Sequence, residues 1–142
     1  MKIYADTSAL VAWFNPADQF AAAVTIWCRE RAPEFCWNLL LRVELRHNLR
    51  RLSGKYAAIA WHAYRAAETS QRLKLGIDRL PDLIEWGDEL SARHAKTSVA
   101  GTWDFIHVAA AQRAGAGTFI TCDKAQAELA RIAGVADIEL FK

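Results

Sequence analysis

Four acidic residues, Asp6, Glu44, Asp104 and Asp123, have the types and placement to do chemistry together. Asp6 ends the short apolar run Lys2 to Asp6, and Asp123 follows a second run, Thr118 to Cys122. Open parallel sheets bind ligands beyond the carboxyl ends of their strands, where strand order reverses, so both stand where a site is expected. Asp104 falls in the first turn of the helix before that second run, and Glu44 falls inside another helix. Three of them have ordinary explanations. Asp6 and Asp123 suit helix N-caps, the latter with Gln126 in capping-box position, and Asp104 complements a helix dipole.

Glu44 resists that treatment. At ~100° per residue it points almost opposite to Arg42, Arg46 and Arg50 and sits between Leu40 and Leu41. Asp104 likewise shares a face with Val108 and Ala111. A lone buried carboxylate is costly, so acids aimed into a packed domain need positive charge. Lys124 is the single nearby cation, which makes a divalent metal the economical balance. Two carboxylates ~5 Å apart repel by about 3 kcal/mol at an effective dielectric of ~20, and four would raise one another's pKa values. All-oxygen ligation suits Mg²⁺ or Mn²⁺, whereas zinc would recruit His or Cys.

Other chemistries lack their signatures. The sequence has no GxGxxG, GxxxxGK[ST] or GxSxG, and Asp6-Thr7-Ser8 lacks the second acid of a phosphatase Asp-x-Asp pair. A net charge of +2 does not diagnose a polyanion partner. The cluster of Arg42, Arg46, His47, Arg50, Arg51 and Lys55 reads as a solvated helix face. Cys28, Cys36 and Cys122 have no metal or redox spacing and read as reduced, buried thiols. With no membrane-length apolar run and no signal-like start, a cytoplasmic protein without membrane contact is expected.

The elements that must position the acids alternate. Strands are expected over Lys2–Asp6, Glu34–Trp37, Ile77–Leu80, Thr118–Cys122 and Ala136–Phe141. Helices are expected over Ser8–Phe14, Asp18–Arg31, Leu39–Leu52, Tyr56–Leu73, Pro81–Ala95, Thr102–Ala114 and Lys124–Ala133. At 142 residues, 53% hydrophobic and 24% charged, the chain fits one domain over residues 1–142. The expected fold class is α/β, a three-layer sandwich whose parallel sheet of about five strands is flanked by helices.

Four stretches together resemble the PIN-domain family, in particular VapC-type toxins. They are Ile3-Tyr-Ala-Asp-Thr-Ser-Ala-Leu10, Val43-Glu-Leu45, Trp103-Asp-Phe-Ile-His-Val-Ala-Ala-Ala111, and Phe119-Ile-Thr-Cys-Asp-Lys-Ala-Gln126 running into Leu129 to Gly134. The resemblance implies Mg²⁺- or Mn²⁺-dependent RNA cleavage, a homodimer and inhibition by a small antitoxin protein. It carries the family's acids to Asp6, Glu44, Asp104 and Asp123 and its hydroxyl to Thr7 or Ser8, with Thr121 matching a Thr before the last acid. Lys124 and Gln126 stand where some relatives have a further acid.

The expected mechanism is metal-assisted hydrolysis. Asp6, Glu44 and Asp104 hold the ion directly or through water, Asp123 completes the site, and Thr7 or Ser8 orients a carboxylate or a water. A PIN-fold processing nuclease without an antitoxin and a catalytically silent PIN-like module are the alternatives. His107, one turn after Asp104, reads as a satisfied core residue, with a hydrogen bond behind the metal site as the lesser reading. Trp13, Trp37 and Trp103 are candidates to stack on a base.

Overall fold

The computed structural model describes all residues, Met1–Lys142. Four parallel strands form one sheet in the order β2-β1-β3-β4, with β1 at Lys2–Ala5, β2 at Glu34–Phe35, β3 at Thr118–Thr121 and β4 at Asp137–Leu140. Seven helices complete the chain: α1 (Thr7–Phe14), α2 (Ala21–Arg31), α3 (Leu39–Arg50), α4 (Ala57–Thr69), α5 (Leu80–His94), α6 (Thr102–Arg113) and α7 (Lys124–Ile132). Consecutive residues Ile3, Tyr4 and Ala5 are all buried, as are Thr118 to Thr121. Side chains alternate between faces along a strand, so helices must cover both sides of the sheet. α1 to α4 pack among themselves, and α6 packs against both α5 and α7. The expected α/β architecture with a parallel, helix-covered sheet is the one found.

The strand count is four rather than five. Ile77–Leu80 forms no strand: Ile77 is 99% exposed, and Leu80 already belongs to α5, whose first turn holds Pro81. Only Gly76 N–H bonds back toward the sheet edge, to the Trp37 carbonyl, so the short apolar run has no ladder to join. β2 likewise stops two residues early, at Phe35. α4 ends at Thr69 instead of Leu73 because Gln71 adopts a left-handed φ of 62°. The Leu73 N–H then bonds to the Ala67 carbonyl and its side chain is folded into the core.

The arginine stripe is only partly a solvated face: Arg50 is exposed, but the stripe's arginines also make contacts with α4. Arg46 donates to the Tyr64 hydroxyl at 2.7 Å and to Glu68 at 2.8 Å, Arg42 lies 3.4 Å from Glu68, and Arg50 sits over the Trp61 ring. These pairs fasten α3 to α4. α5 and α6 approach closely at Gly87, where an added Cβ would fall 2.5 Å from Ile106 Cγ1.

β1 is flanked by β2 on one side and β3 on the other, so the chain leaves β1 in one direction and later returns across it. The carboxyl ends of β1 and β3 form that reversal point. Ala5 is in register with Ile120, and the Asp6 N–H bonds to the Ile120 carbonyl.

Candidate active site

An open cleft of about 450 Å³ lies beyond these strand ends, and Asp6, Thr7, Ser8, Glu44, Asp104 and Asp123 all line it. Three acids arrive there as helix caps. Asp6 caps α1 by accepting the Ala9 N–H at 3.0 Å, and Asp123 caps α7 by accepting Ala125 N–H at 2.8 Å and Gln126 N–H at 3.3 Å. Asp104, in the first turn of α6, accepts the Gly101 N–H at 3.1 Å. Glu44 comes from the middle of α3, whose start is fixed by Asn38 accepting the Leu41 N–H at 2.8 Å.

Hydroxyls set the spacing of the acids. Ser8 donates to Asp6 Oδ1 at 2.6 Å and accepts the Cys122 N–H at 2.9 Å. Thr121 donates to Asp6 Oδ2 and accepts the Asp123 N–H at 2.9 Å, joining the acids of β1 and β3 through one side chain. Thr7 donates to Glu44 Oε1 at 3.1 Å. Thr7 and Ser8 thus each orient a carboxylate, on different acids.

Two side chains support the acids from behind, His107 as the lesser of its two readings had it and Gln126 without any forewarning in the sequence. His107 is buried, and its Nε2 bonds Glu44 Oε1 while its Nδ1 lies 2.7 Å from the Tyr4 hydroxyl. Its place one turn after Asp104, on the same face, was the available signal for the hydrogen bond behind the site. Gln126 is 3% exposed. With its amide nitrogen toward the acids it donates to Asp6 Oδ2 at 2.6 Å and to Asp104 Oδ1 at 3.3 Å, the orientation its acceptor neighbours require. Its capping-box position gave no hint of this. Lys124, the cation expected nearby, lies outside the cleft. Trp37 is buried, and Trp13 stacks on Phe35 beneath Arg72, so of the three tryptophans only Trp103, 54% exposed, presents an open ring, outside the cleft lining.

Burial raises the Asp6 carboxyl above the ordinary range, although Ser8, Thr121 and the Ala9 N–H oppose the shift. Asp104 is raised first by burial, with the charges of Asp123 and Glu44 adding to it against the Gly101 N–H. Burial pushes Glu44 up too, but hydrogen bonds from His107 and Thr7 outweigh it and hold Glu44 below the usual value. A divalent metal, the economical balance for the acids, would therefore not carry that task alone. Neutral donors and three helix N-termini share the task.

The donor chemistry nevertheless fits a hard cation. The cleft offers carboxylate oxygens, two acids disfavour their charged form without added positive charge, and Asp123 Oδ2 and Glu44 Oε2 carry no protein hydrogen bond. No three Asp, Glu, His or Cys side chains stand close enough to hold an ion together.

Comparison with known proteins agrees with this architecture. The structure is similar to the crystal structure of VapBC2 from Rickettsia felis bound to a DNA fragment from their promoter, at 18% identity and a TM-score of 0.65, covering 100% of both chains. It is also similar to FitAcB from Neisseria gonorrhoeae, at 15% identity and a TM-score of 0.61, covering 99% of this chain and 96% of that one. No curated protein sequence matches. The PIN domain family profile matches residues 3–132, nearly the whole chain, and this protein belongs to the PIN-domain family.

Proposed function

We propose that this chain is a Mg²⁺- or Mn²⁺-dependent endoribonuclease acting as the toxin of a toxin–antitoxin pair. The observation that carries the reading is the meeting of Asp6, Glu44, Asp104 and Asp123 in one cleft at the sheet's reversal point. Similarity to two toxin–antitoxin structures supports a small antitoxin partner. The reading includes a homodimer and a cytoplasmic location, and no helix is long and apolar enough to cross a membrane.

Asp6, Glu44 and Asp104 would hold the cation, directly or through water, with Asp123 completing the set. When bound, it supplies an acidified, oriented water and neutralises charge on the scissile phosphate. The chain's own part is preorganisation. Ser8 and Thr121 lock Asp6, Thr7 and His107 lock Glu44, and the N-termini of α1, α6 and α7 add positive potential where a phosphate must approach. Attack by water leaves a 5′-phosphate and a 3′-hydroxyl.

The test is incubation of total cellular RNA with the protein in Mg²⁺, Mn²⁺ or EDTA, followed by mapping of cut ends. Metal-dependent cuts with 5′-phosphates are expected, and a 2′,3′-cyclic phosphate product contradicts the mechanism. Expression should be toxic to a bacterial host and Asp6→Asn should abolish that toxicity. A PIN-fold processing nuclease would cut without toxicity. One observation favours a silent binding module: four protein donors already engage the Asp6 carboxylate. Failure of Mg²⁺ or Mn²⁺ to raise the melting temperature would favour that second reading.

A further inference from the structure

A chain of buried polar groups runs behind the cleft, and each link has only one workable direction. Asn38 caps α3, so its Oδ1 accepts the Leu41 N–H at 2.8 Å. That assignment leaves its Nδ2 to donate to the Tyr4 hydroxyl at 3.2 Å. Tyr4 is fully buried, and the other atom within reach of its hydroxyl is His107 Nδ1 at 2.7 Å. A tyrosine hydroxyl has one hydrogen. If Nδ1 carried a proton, the hydroxyl would receive two donors and its own hydrogen would point at nothing, a costly arrangement in a dry interior. Tyr4 therefore donates to Nδ1, and the His107 proton sits on Nε2, facing Glu44 Oε1.

We infer that Asn38, Tyr4 and His107 are positioning residues: they form a one-way hydrogen-bond chain that fixes His107 as its Nε2–H tautomer and thereby aims Glu44 into the cleft. The donation, with that of Thr7, occupies Oε1 and leaves Oε2 to face the cleft. It also assigns His107 no part as a proton acceptor in the reaction, because the lone pair of Nδ1 is committed to Tyr4 and Nε2 is a donor. β1 supplies Tyr4, the N-cap of α3 supplies Asn38, and α6 supplies His107, so the device ties Glu44 to two elements besides its own helix. The functional part of the inference rests on the nuclease reading, whereas the tautomer does not.

The tautomer is read directly from long-range ¹⁵N–¹H spectra of the imidazole in the metal-free, full-length protein. The expected wild-type pattern is a bare Nδ1 and a protonated Nε2. Asn38→Asp is the sharpest perturbation because it keeps both the shape and the helix cap. The new carboxylate takes the Tyr4 hydrogen, the Tyr4 oxygen then accepts from Nδ1, and the bare-Nδ1 signature disappears. Tyr4→Phe removes the donor to Nδ1 and is the second variant should the first fail to fold. Both should lower kcat for metal-dependent cleavage about 10–100-fold, as loss of such supporting hydrogen bonds does, with KM little changed. A protonated Nδ1 in the wild type overturns the inference, as does an unaltered imidazole signature in folded Asn38→Asp or Tyr4→Phe. An inactive wild type with the expected tautomer would sink the nuclease reading and leave the hydrogen-bond chain standing.

Discussion

Gln126→Glu places a carboxyl where the structure holds an amide between two acids. The wild-type amide donates to Asp6 at 2.6 Å and lies 3.3 Å from Asp104, and its residue is almost fully buried. An ionised replacement loses a hydrogen bond to a charged group, about 1.5–3 kcal/mol. It also meets like charges that repel by about 4 kcal/mol each at ~4 Å and an effective dielectric of ~20. Staying protonated is cheaper, since the acid can then donate to Asp6 much as the amide does. The cost of holding it protonated is about 1.4 kcal/mol per pH unit above its unfolded pKa of ~4.3, or roughly 4 kcal/mol at pH 7. An acid whose folded pKa is raised binds more protons folded than unfolded, so stability falls as pH rises. Denaturant unfolding of the metal-free variant should match wild type near pH 4 and fall progressively behind it towards pH 7. A gap of ~4 kcal/mol corresponds to a melting-temperature deficit of roughly 12 °C for a domain of this size. Mg²⁺ or Mn²⁺ should raise the variant's melting temperature more than the wild type's, because a further carboxylate faces the cation. A stability gap independent of pH would refute the reasoning, since Gln126 would then not face the acids.

Asp104→Asn should keep or raise metal-free stability at neutral pH while abolishing cleavage and the metal-induced rise in melting temperature. The Asp104 carboxyl is raised, so its ionisation opposes folding above that raised pKa and not below the unfolded one; scanning fluorimetry at pH 3.5 and 7.5 should find any gain only at the higher pH. Glu68→Ala removes a carboxylate only 14% exposed, leaves the 19%-exposed Arg46 side chain without it, and should cost about 1–3 kcal/mol in urea unfolding, without changing kcat. Gly87→Ala drives a methyl into Ile106 and should destabilise by about 1–2 kcal/mol, the helix-propensity gain offsetting part of the clash; equal or greater stability would mean that α5 and α6 are not in contact there.

The parts of the fold that could be read in advance are those where a local pattern and tertiary need agree. Lys2–Ala5 and Thr118–Thr121 are short apolar runs that each lead into a helix, and the sheet buries every residue of both except Lys2. Ile77–Leu80 has the same local look but no neighbouring strand, and strand identity depends on a partner that a linear pattern does not contain. The placement of Glu44 was legible from its angle on the helical wheel. The hydrogen bond of His107 to it was legible only as the lesser of two readings, because an imidazole among alanines looks alike whether it ends on a carbonyl or a carboxylate. The contacts of the arginine stripe were not legible for a related reason. Arg42 and Arg46 leave α3 on a polar face, and only the position of α4 brings Glu68 and Tyr64 against them.

The capping and catalytic explanations of the acids, opposed as long as only the sequence was considered, are one arrangement. A carboxylate has about four acceptor positions and an N-cap uses one or two of them. Asp123 gives Oδ1 to two backbone N–H groups and keeps Oδ2 free, while Asp104 gives Oδ2 to Gly101 and turns Oδ1 toward Gln126. Capping also fixes each side chain's direction relative to its helix, so three helices starting around one reversal point aim three acids inward. Their dipoles offset part of the repulsion that this convergence creates. Glu44, which no helix start supports, is the acid that takes its donors from the side chains of Thr7 and His107. The division predicts where tolerance lies: a capping acid exchanged for Asn retains a cap and a fold, whereas changing the donors of Glu44 disturbs the one carboxylate that nothing else holds.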